Sequence, residues 1–115
     1  MKRTVAVLLF LCLFLTGRSF AYFNSGLELF YAAQEWNRYF SDQGPPVDFH
    51  KVSYFQGYVA GVASAARSQL ELPQGVQLDV LCAIVHTHLK DSPRRLHEPA
   101  SDLVIDALVK AFKKR

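Results

Sequence analysis

The chain has 115 residues, with 13 lysines and arginines against 10 aspartates and glutamates, and half of its residues are hydrophobic. This length suits one domain with one modest core. Lys2, Arg3 and Arg18 lie within the first 21 positions, so the remainder carries ten charges of each sign and is formally neutral. The overall positive charge therefore gives no support to a nucleic-acid-binding function or to a membrane partner.

Residues 1–21 have the pattern of a secretory signal peptide. Lys2 and Arg3 precede an apolar segment, and Ser19-Phe20-Ala21 has the small-x-small pattern of a cleavage site. The apolar segment is shorter than the roughly 20 residues that a membrane span requires. We expect cleavage after Ala21, export to the periplasm or beyond, and a mature domain at residues 22–115 that is not attached to a membrane. An uncleaved membrane anchor is the alternative.

The first helix of the mature chain is predicted from Ser25-Gly26-Leu27-Glu28, which has the spacing of a capping box. Apolar residues then recur on one side over about four turns. These are Leu29, Ala33, Trp36 and Phe40, with Ala32 and Tyr39 at the edge. The helix ends in the segment Ser41 to Pro46, because a glycine and two prolines cannot continue it.

A second helix is predicted from near Asp48, which we expect to cap its start, to about Gln69. Its large apolar side chains form one stripe, and its opposite face carries only small residues: Gly57, Ala60, Gly61, Ser64 and Ser68. Each glycine inside a helix costs roughly 1 kcal/mol relative to alanine. We interpret Gly57, Tyr58, Gly61 and Ser64 as a helix-packing motif, in which a neighbouring backbone approaches closely and its contacts offset that cost.

Proline and glycine divide the rest of the chain into two turns and two helices. Leu72-Pro73-Gln74-Gly75 predicts a turn, and a third helix is expected from about Gln77 to Lys90. Pro93 begins a short helical turn, and Pro99 starts the final helix. Outside the main stripe of this helix, Ile105, Val109 and Phe112 form a second apolar patch, which we expect to contact the first helix or another subunit. The sequence thus predicts an all-α fold, a small single-domain bundle of four main helices plus a short helical turn.

Cys82 is the only cysteine left after the signal peptide, so an intramolecular disulfide is excluded. The stability of the fold must therefore come from packing within the domain, and contact with a second subunit in a homodimer is an additional source that the sequence leaves open. Cys82 and His86 share a side of the third helix, so together they could form a thiol nucleophile with its base or contribute two ligands to a metal site. However, Cys82 lies in the apolar stripe, where a lone cysteine behaves as a small hydrophobe. His86 and His88 diverge by 200° on a helix and do not converge on one metal ion.

No other pattern indicates catalysis. Asp102 and Asp106 share a face of the final helix, but they lie beside Lys110 and Lys113, as in an ordinary solvated charged face. The chain has no glycine-rich phosphate loop, no nucleophile elbow and no Cys-x-x-Cys pair. We therefore predict no catalytic, cofactor-binding or metal-binding residue and no enzymatic activity.

An ordered set of motifs resembles the Rap/Tai family. The set comprises Gly57-Tyr58-Val59-Ala60-Gly61-Val62, Leu72-Pro73-x-Gly75-Val76, a helix closing in Leu89-x-x-x-Pro93, His97-x-Pro99-Ala100 and Ala107-Leu108-x-x-Ala111-Phe112. The family consists of small exported α-helical proteins, named for members that give immunity to type VI secretion effectors, including peptidoglycan amidases. The resemblance covers residues 55–112 and implies a periplasmic immunity protein whose partner is a secreted effector.

Three positions depart from the family pattern. An aspartate usual in the second helix is replaced by Ser64, and two cysteines common in relatives fall at Glu71 and about Lys114. Their joint absence fits a disulfide in those relatives. We expect Glu71 and Lys114 to form an ion pair in its place.

The resemblance implies binding by steric occlusion of the effector's active site. Affinity at such interfaces comes from a few buried aromatic or arginine anchors. Tyr54, Arg94 and Arg95, near segment ends, are the predicted partner-binding residues. A general non-enzymatic envelope protein, such as a stress or assembly factor with the same fold and no toxin partner, is the alternative function.

Overall fold

The protein is a four-helix bundle in a computed structural model that describes residues 2–8, 24–41 and 46–113. Residues 2–8 are helical, whereas the predicted cleavage site and part of the loop after the first bundle helix lie outside the described residues. The all-α prediction is confirmed. The bundle helices are α1 (Gly26–Ser41), α2 (Phe49–Ala65), α3 (Leu78–Lys90) and α4 (Ala100–Phe112), with 3-10 turns at Arg67–Gln69 and Pro93–Arg95.

The helix starts follow the predicted capping residues. Ser25 Oγ accepts a hydrogen bond from the Glu28 amide at 3.3 Å, which satisfies one free donor of α1. The Asp48 carboxylate accepts from the amides of His50 and Lys51 at 3.0 and 3.4 Å and begins α2. The α-helical part of α2 ends at Ala65, and a 3-10 turn continues it to Gln69, the predicted end.

All four helices contribute to one core. Phe55 is fully buried and is the largest such side chain, and every helix adds apolar residues around it. The spacing of apolar residues predicts that the buried sides of α3 and α4 are Leu78, Leu81, Cys82, Val85 and Leu89, and Ala100, Leu103, Val104, Ala107, Leu108 and Ala111. This is confirmed, except that Leu78 is half-buried and Ala111, in the last turn of α4, is exposed. In α2 the buried residues are Val52, Phe55, Val59 and Ala63, while Tyr58 and Val62 are half-buried at the edge of the core.

The second apolar patch of α4 packs within the domain. Val109 and Phe112 lie against the core, and the Phe112 carbonyl accepts a hydrogen bond from the Glu71 amide at 2.8 Å. Leu70 forms an isolated antiparallel bridge with Lys113, so the two segments run side by side. Lys114 lies outside the described residues, and the pairing of Glu71 with Lys114 stays a prediction.

The interpretation of Gly57 and Gly61 as close-packing positions is wrong. Both glycines are exposed, and a Cβ built at either would meet no described atom within 4 Å. The large apolar side chains lie on the opposite face of α2 from the glycines. Because burial of apolar surface drives packing, that face contacts the core and the glycine face is left at the surface. Ser64 is also exposed, and its hydroxyl donates to the Ala60 carbonyl at 2.8 Å.

A different glycine permits the close approach. Gly26, in the first turn of α1, is buried, and a Cβ there would overlap the Leu103 side chain and lie 3.1 Å from the Leu96 backbone. The Gly26 amide also donates to the Glu98 carbonyl at 2.9 Å, and the Leu27 amide donates to the Leu96 carbonyl at 2.8 Å. The start of α1 is therefore held against the loop before α4.

These environments predict opposite effects of alanine at the glycines. Gly57→Ala and Gly61→Ala should each raise the free energy of unfolding by about 1 kcal/mol, because alanine is the better helix former and nothing obstructs its methyl group. Gly26→Ala should lower it by about 1–3 kcal/mol through overpacking. Urea denaturation of residues 22–115 measures all three, and a loss of stability at Gly57 or Gly61 would reveal a contact on that face.

Candidate partner-binding surface

The predicted anchors Arg94 and Arg95 lie in the 3-10 turn before α4, but they differ in environment. Arg94 is exposed. Arg95 forms ion pairs within the domain, with Glu98 at 2.8 Å and with Asp106 of α4. Because Asp106 pairs with Arg95, Arg95 ties the turn to α4. Hydrogen bonds from Arg95 lower the pKa of the Glu98 carboxyl.

Tyr54, the third predicted anchor, belongs to α2 and is half-buried against the core. Its ring centroid is 5.8 Å from that of Tyr58. Burial raises the pKa of both hydroxyls, and nearby charges and hydrogen bonds modify the effect. Tyr54 thus contributes to packing, and its role in binding a partner stays a prediction.

The turn motifs shape the connections between helices. The Val76 amide donates to the Pro73 carbonyl at 3.1 Å, and Gly75 has a φ of +78°, which the third position of a type II turn requires. Pro93 is the first residue of its 3-10 turn. Pro99 precedes α4 and forms an isolated bridge with Ser25, next to the start of α1.

Cys82 is buried in the core and does not have the environment of a reactive thiol. Burial raises the pKa of its thiol to about 12, so the thiol is protonated at neutral pH. His86 has its pKa lowered by burial and by the nearby Lys90, and its ring lies 6.2 Å from that of Trp36. Among residues 2–8, 24–41 and 46–113, no group of three or more histidine, cysteine, aspartate or glutamate side chains is arranged to hold a metal ion.

The environment of Cys82 predicts a thiol that reacts only after unfolding. In native buffer at pH 8, a disulfide reagent such as Ellman's reagent should label less than about a tenth of a protein consisting of residues 22–115 within minutes, whereas one thiol per chain reacts in denaturant. The absorbance of the released thiolate measures both values. Rapid stoichiometric labelling of the folded protein would contradict the burial of Cys82.

Three exposed aromatic side chains lie together where α1 ends and α2 begins. We call Tyr39, Phe40 and Phe49 the aromatic surface; they are 46%, 49% and 61% exposed. The Tyr39 ring meets the Phe40 and Phe49 rings edge-on, with centroids 5.0 and 5.2 Å apart. Contiguous exposed apolar groups of this kind mark interaction sites, and aromatic residues are enriched among the strongest binding contacts.

The aromatic surface rests on a rigid base. Phe40 lies 5.3 Å from Trp36, centroid to centroid, and Trp36 lies 5.6 Å from Phe55 in the core. The Glu35 carboxylate accepts from the Asp48 amide at 3.1 Å and also pairs with Arg38, which fixes the start of α2 against α1. Aromatic groups held in place in this way lose little conformational freedom when they bind a partner.

The sequence predicts the aromatic surface only in part. Helical periodicity places Tyr39 at the edge of the α1 stripe and Phe40 inside it, although half of Phe40 is exposed in the last helical turn. Phe49 belongs to no predicted stripe. Its position directly after the N-cap Asp48, outside the apolar stripe of α2, is the signal that indicates its exposure.

Comparison with known proteins assigns the family. The family model described as Rap1a immunity proteins matches residues 24–113, which include all four bundle helices. Searches of curated proteins and of solved structures give no match. Within the described ranges, no helix has both the length and the apolar character needed to cross a membrane. On the strength of the match over most of its length, the chain belongs to the Rap1a immunity protein family.

Proposed function

We propose that the mature chain is a periplasmic immunity protein that binds a secreted effector and neutralises it by occluding the effector's active site. The observation that carries the proposal is the family match over residues 24–113. The predicted signal peptide at residues 1–21 supports a periplasmic place of action, where type VI effectors that cleave the cell wall would act. Peptidoglycan amidases are the proposed effector class, from the resemblance to Rap/Tai proteins.

Occlusion requires binding and no chemistry from the immunity protein. The aromatic surface is the best candidate for the contact, because it is exposed and is supported by the core through Trp36. Aromatic anchors of this size can fill an apolar cleft such as the mouth of an active site. Arg94 remains an exposed candidate for the polar rim of the same interface.

Capture of the effector tests this function. The mature chain, residues 22–115, serves as bait for proteins secreted by the source strain and by its competitors, and the captured protein is assayed for cleavage of purified peptidoglycan. We expect one captured hydrolase, inhibited fully at equimolar bait. Capture of only chaperones or assembly factors, with no hydrolase inhibited, would favour the general envelope protein and overturn the proposal.

A further inference from the structure

A groove separates the second half of α2 from the turn that follows it. Its volume is about 680 Å³, within the range of sites that hold small ligands. Ala60, Ala63 and Ser64 of α2 line one side, and Leu72, Val76 and Leu78 line the other. These three larger residues are half-buried against the core, so the groove has a fixed apolar wall.

Arg67 is the only charged residue among those that line the groove. It is exposed in the 3-10 turn after α2, and it forms no ion pair with a described residue. Arg95, in contrast, is paired with two carboxylates. A guanidinium presents a planar fork of donors that matches a carboxylate in two parallel hydrogen bonds. The groove therefore complements a ligand that carries a carboxylate.

The polar groups of the groove suit a peptide backbone. The Ser64 hydroxyl donates its proton to the Ala60 carbonyl, so its oxygen remains able to accept a hydrogen bond from a ligand amide. At the turn, the amides of Gln74 and Gly75 have no acceptor within the described part of the chain. The small side chains of Ala60 and Ser64 allow a backbone to approach α2 closely.

We propose that this groove binds an extended segment of a protein partner and that an aspartate or glutamate side chain of the segment pairs with Arg67. A nucleic acid fits less well, because its phosphates need several cations and the groove supplies one. The proposal does not depend on immunity, since it concerns the chemistry of the bound segment and holds whichever partner supplies that segment.

Selection from a random peptide library tests the proposal directly. Phage-displayed 12-residue peptides are selected on the mature chain, and the enriched peptides are synthesised with acetylated and amidated ends and titrated by fluorescence anisotropy. We expect a shared acidic residue in the enriched peptides. Its replacement by the matching amide, or Arg67→Gln in the protein, should weaken binding about tenfold or more.

Matched variants locate the binding site. Ser64→Trp fills the groove and should abolish binding, whereas Ala65→Trp, at an exposed position of α2 outside the groove, should leave it unchanged. Lys51→Gln removes an exposed charge of α2 outside the groove and should also have no effect. Circular dichroism confirms that each variant is folded. The proposal is overturned if no peptide is enriched, if the enriched peptides lack an acidic residue, or if Arg67→Gln and Lys51→Gln bind them equally.

Discussion

Phe55→Ala is expected to lower the free energy of unfolding by about 3–5 kcal/mol, the cost of removing a large buried aromatic side chain. Phe55 is completely buried, and its ring lies 5.6 Å from that of Trp36, centroid to centroid. Because a domain of this kind has a total stability of only about 5–15 kcal/mol, the variant should be close to unfolding at 37 °C.

Urea denaturation followed by Trp36 fluorescence and by circular dichroism measures this effect. Phe49→Ala is the matched control, because it makes the same substitution on the same helix at a side chain that is 61% exposed. Its effect should stay within about 0.5 kcal/mol. Equal destabilisation by the two variants would contradict the burial assigned to Phe55 and the exposure assigned to Phe49.

The double substitution Tyr39→Ala and Phe49→Ala is expected to weaken effector binding by about 30-fold or more, while the protein stays folded. Residues at the centre of an interface commonly contribute 2 kcal/mol or more to binding, which corresponds to that factor. Both side chains are about half exposed or more in the free protein and contact each other edge-on. Isothermal titration with the captured effector measures the affinity.

Tyr31→Ala provides the control for that binding experiment. Tyr31 is an aromatic residue of α1 that is 52% exposed and is not part of the aromatic surface. Its substitution should leave the affinity unchanged within about twofold, the spread expected of a residue outside an interface. If Tyr31→Ala weakens binding as much as the double variant does, or if neither has an effect, the aromatic surface is not the contact.

The helices could be predicted closely because their boundaries depend on local chemistry. Ser25 and Asp48 cap α1 and α2 as expected, and the turn at Pro73 to Gly75 separates α2 from α3. The buried sides of α3 and α4 followed from the spacing of apolar residues. These features need only information from neighbouring positions in the chain.

The role of the α2 glycines could not be settled in the same way. A face of small residues is compatible both with a close neighbour and with open solvent, and periodicity does not say which one is present. In this bundle the close approach occurs at Gly26, whose neighbours Leu96 and Leu103 are distant in sequence. The same limit applies to Arg95, because its partner Asp106 becomes adjacent only when the loop packs on α4.

The candidate surfaces also depend on tertiary structure. The aromatic surface joins the end of α1 to the start of α2 across a loop, and the groove at Arg67 joins α2 to residues beyond the following turn. Tyr54 and Arg95 have the residue types of interface anchors, and the fold adds what the sequence does not show: Tyr54 packs against the core, and Arg95 pairs with Glu98 and Asp106. The residue type indicates what a side chain can bind, and only the fold shows whether it is free to do so.

Protection of living cells tests the proposed immunity function most directly. The captured effector is directed to the periplasm of a sensitive bacterium, with or without this chain, and survival is counted. We expect full survival with the chain carrying residues 1–21 and lysis with residues 22–115 retained in the cytoplasm, because the inhibitor must meet the effector in the periplasm. Lysis of cells that contain the exported, folded chain would contradict the account.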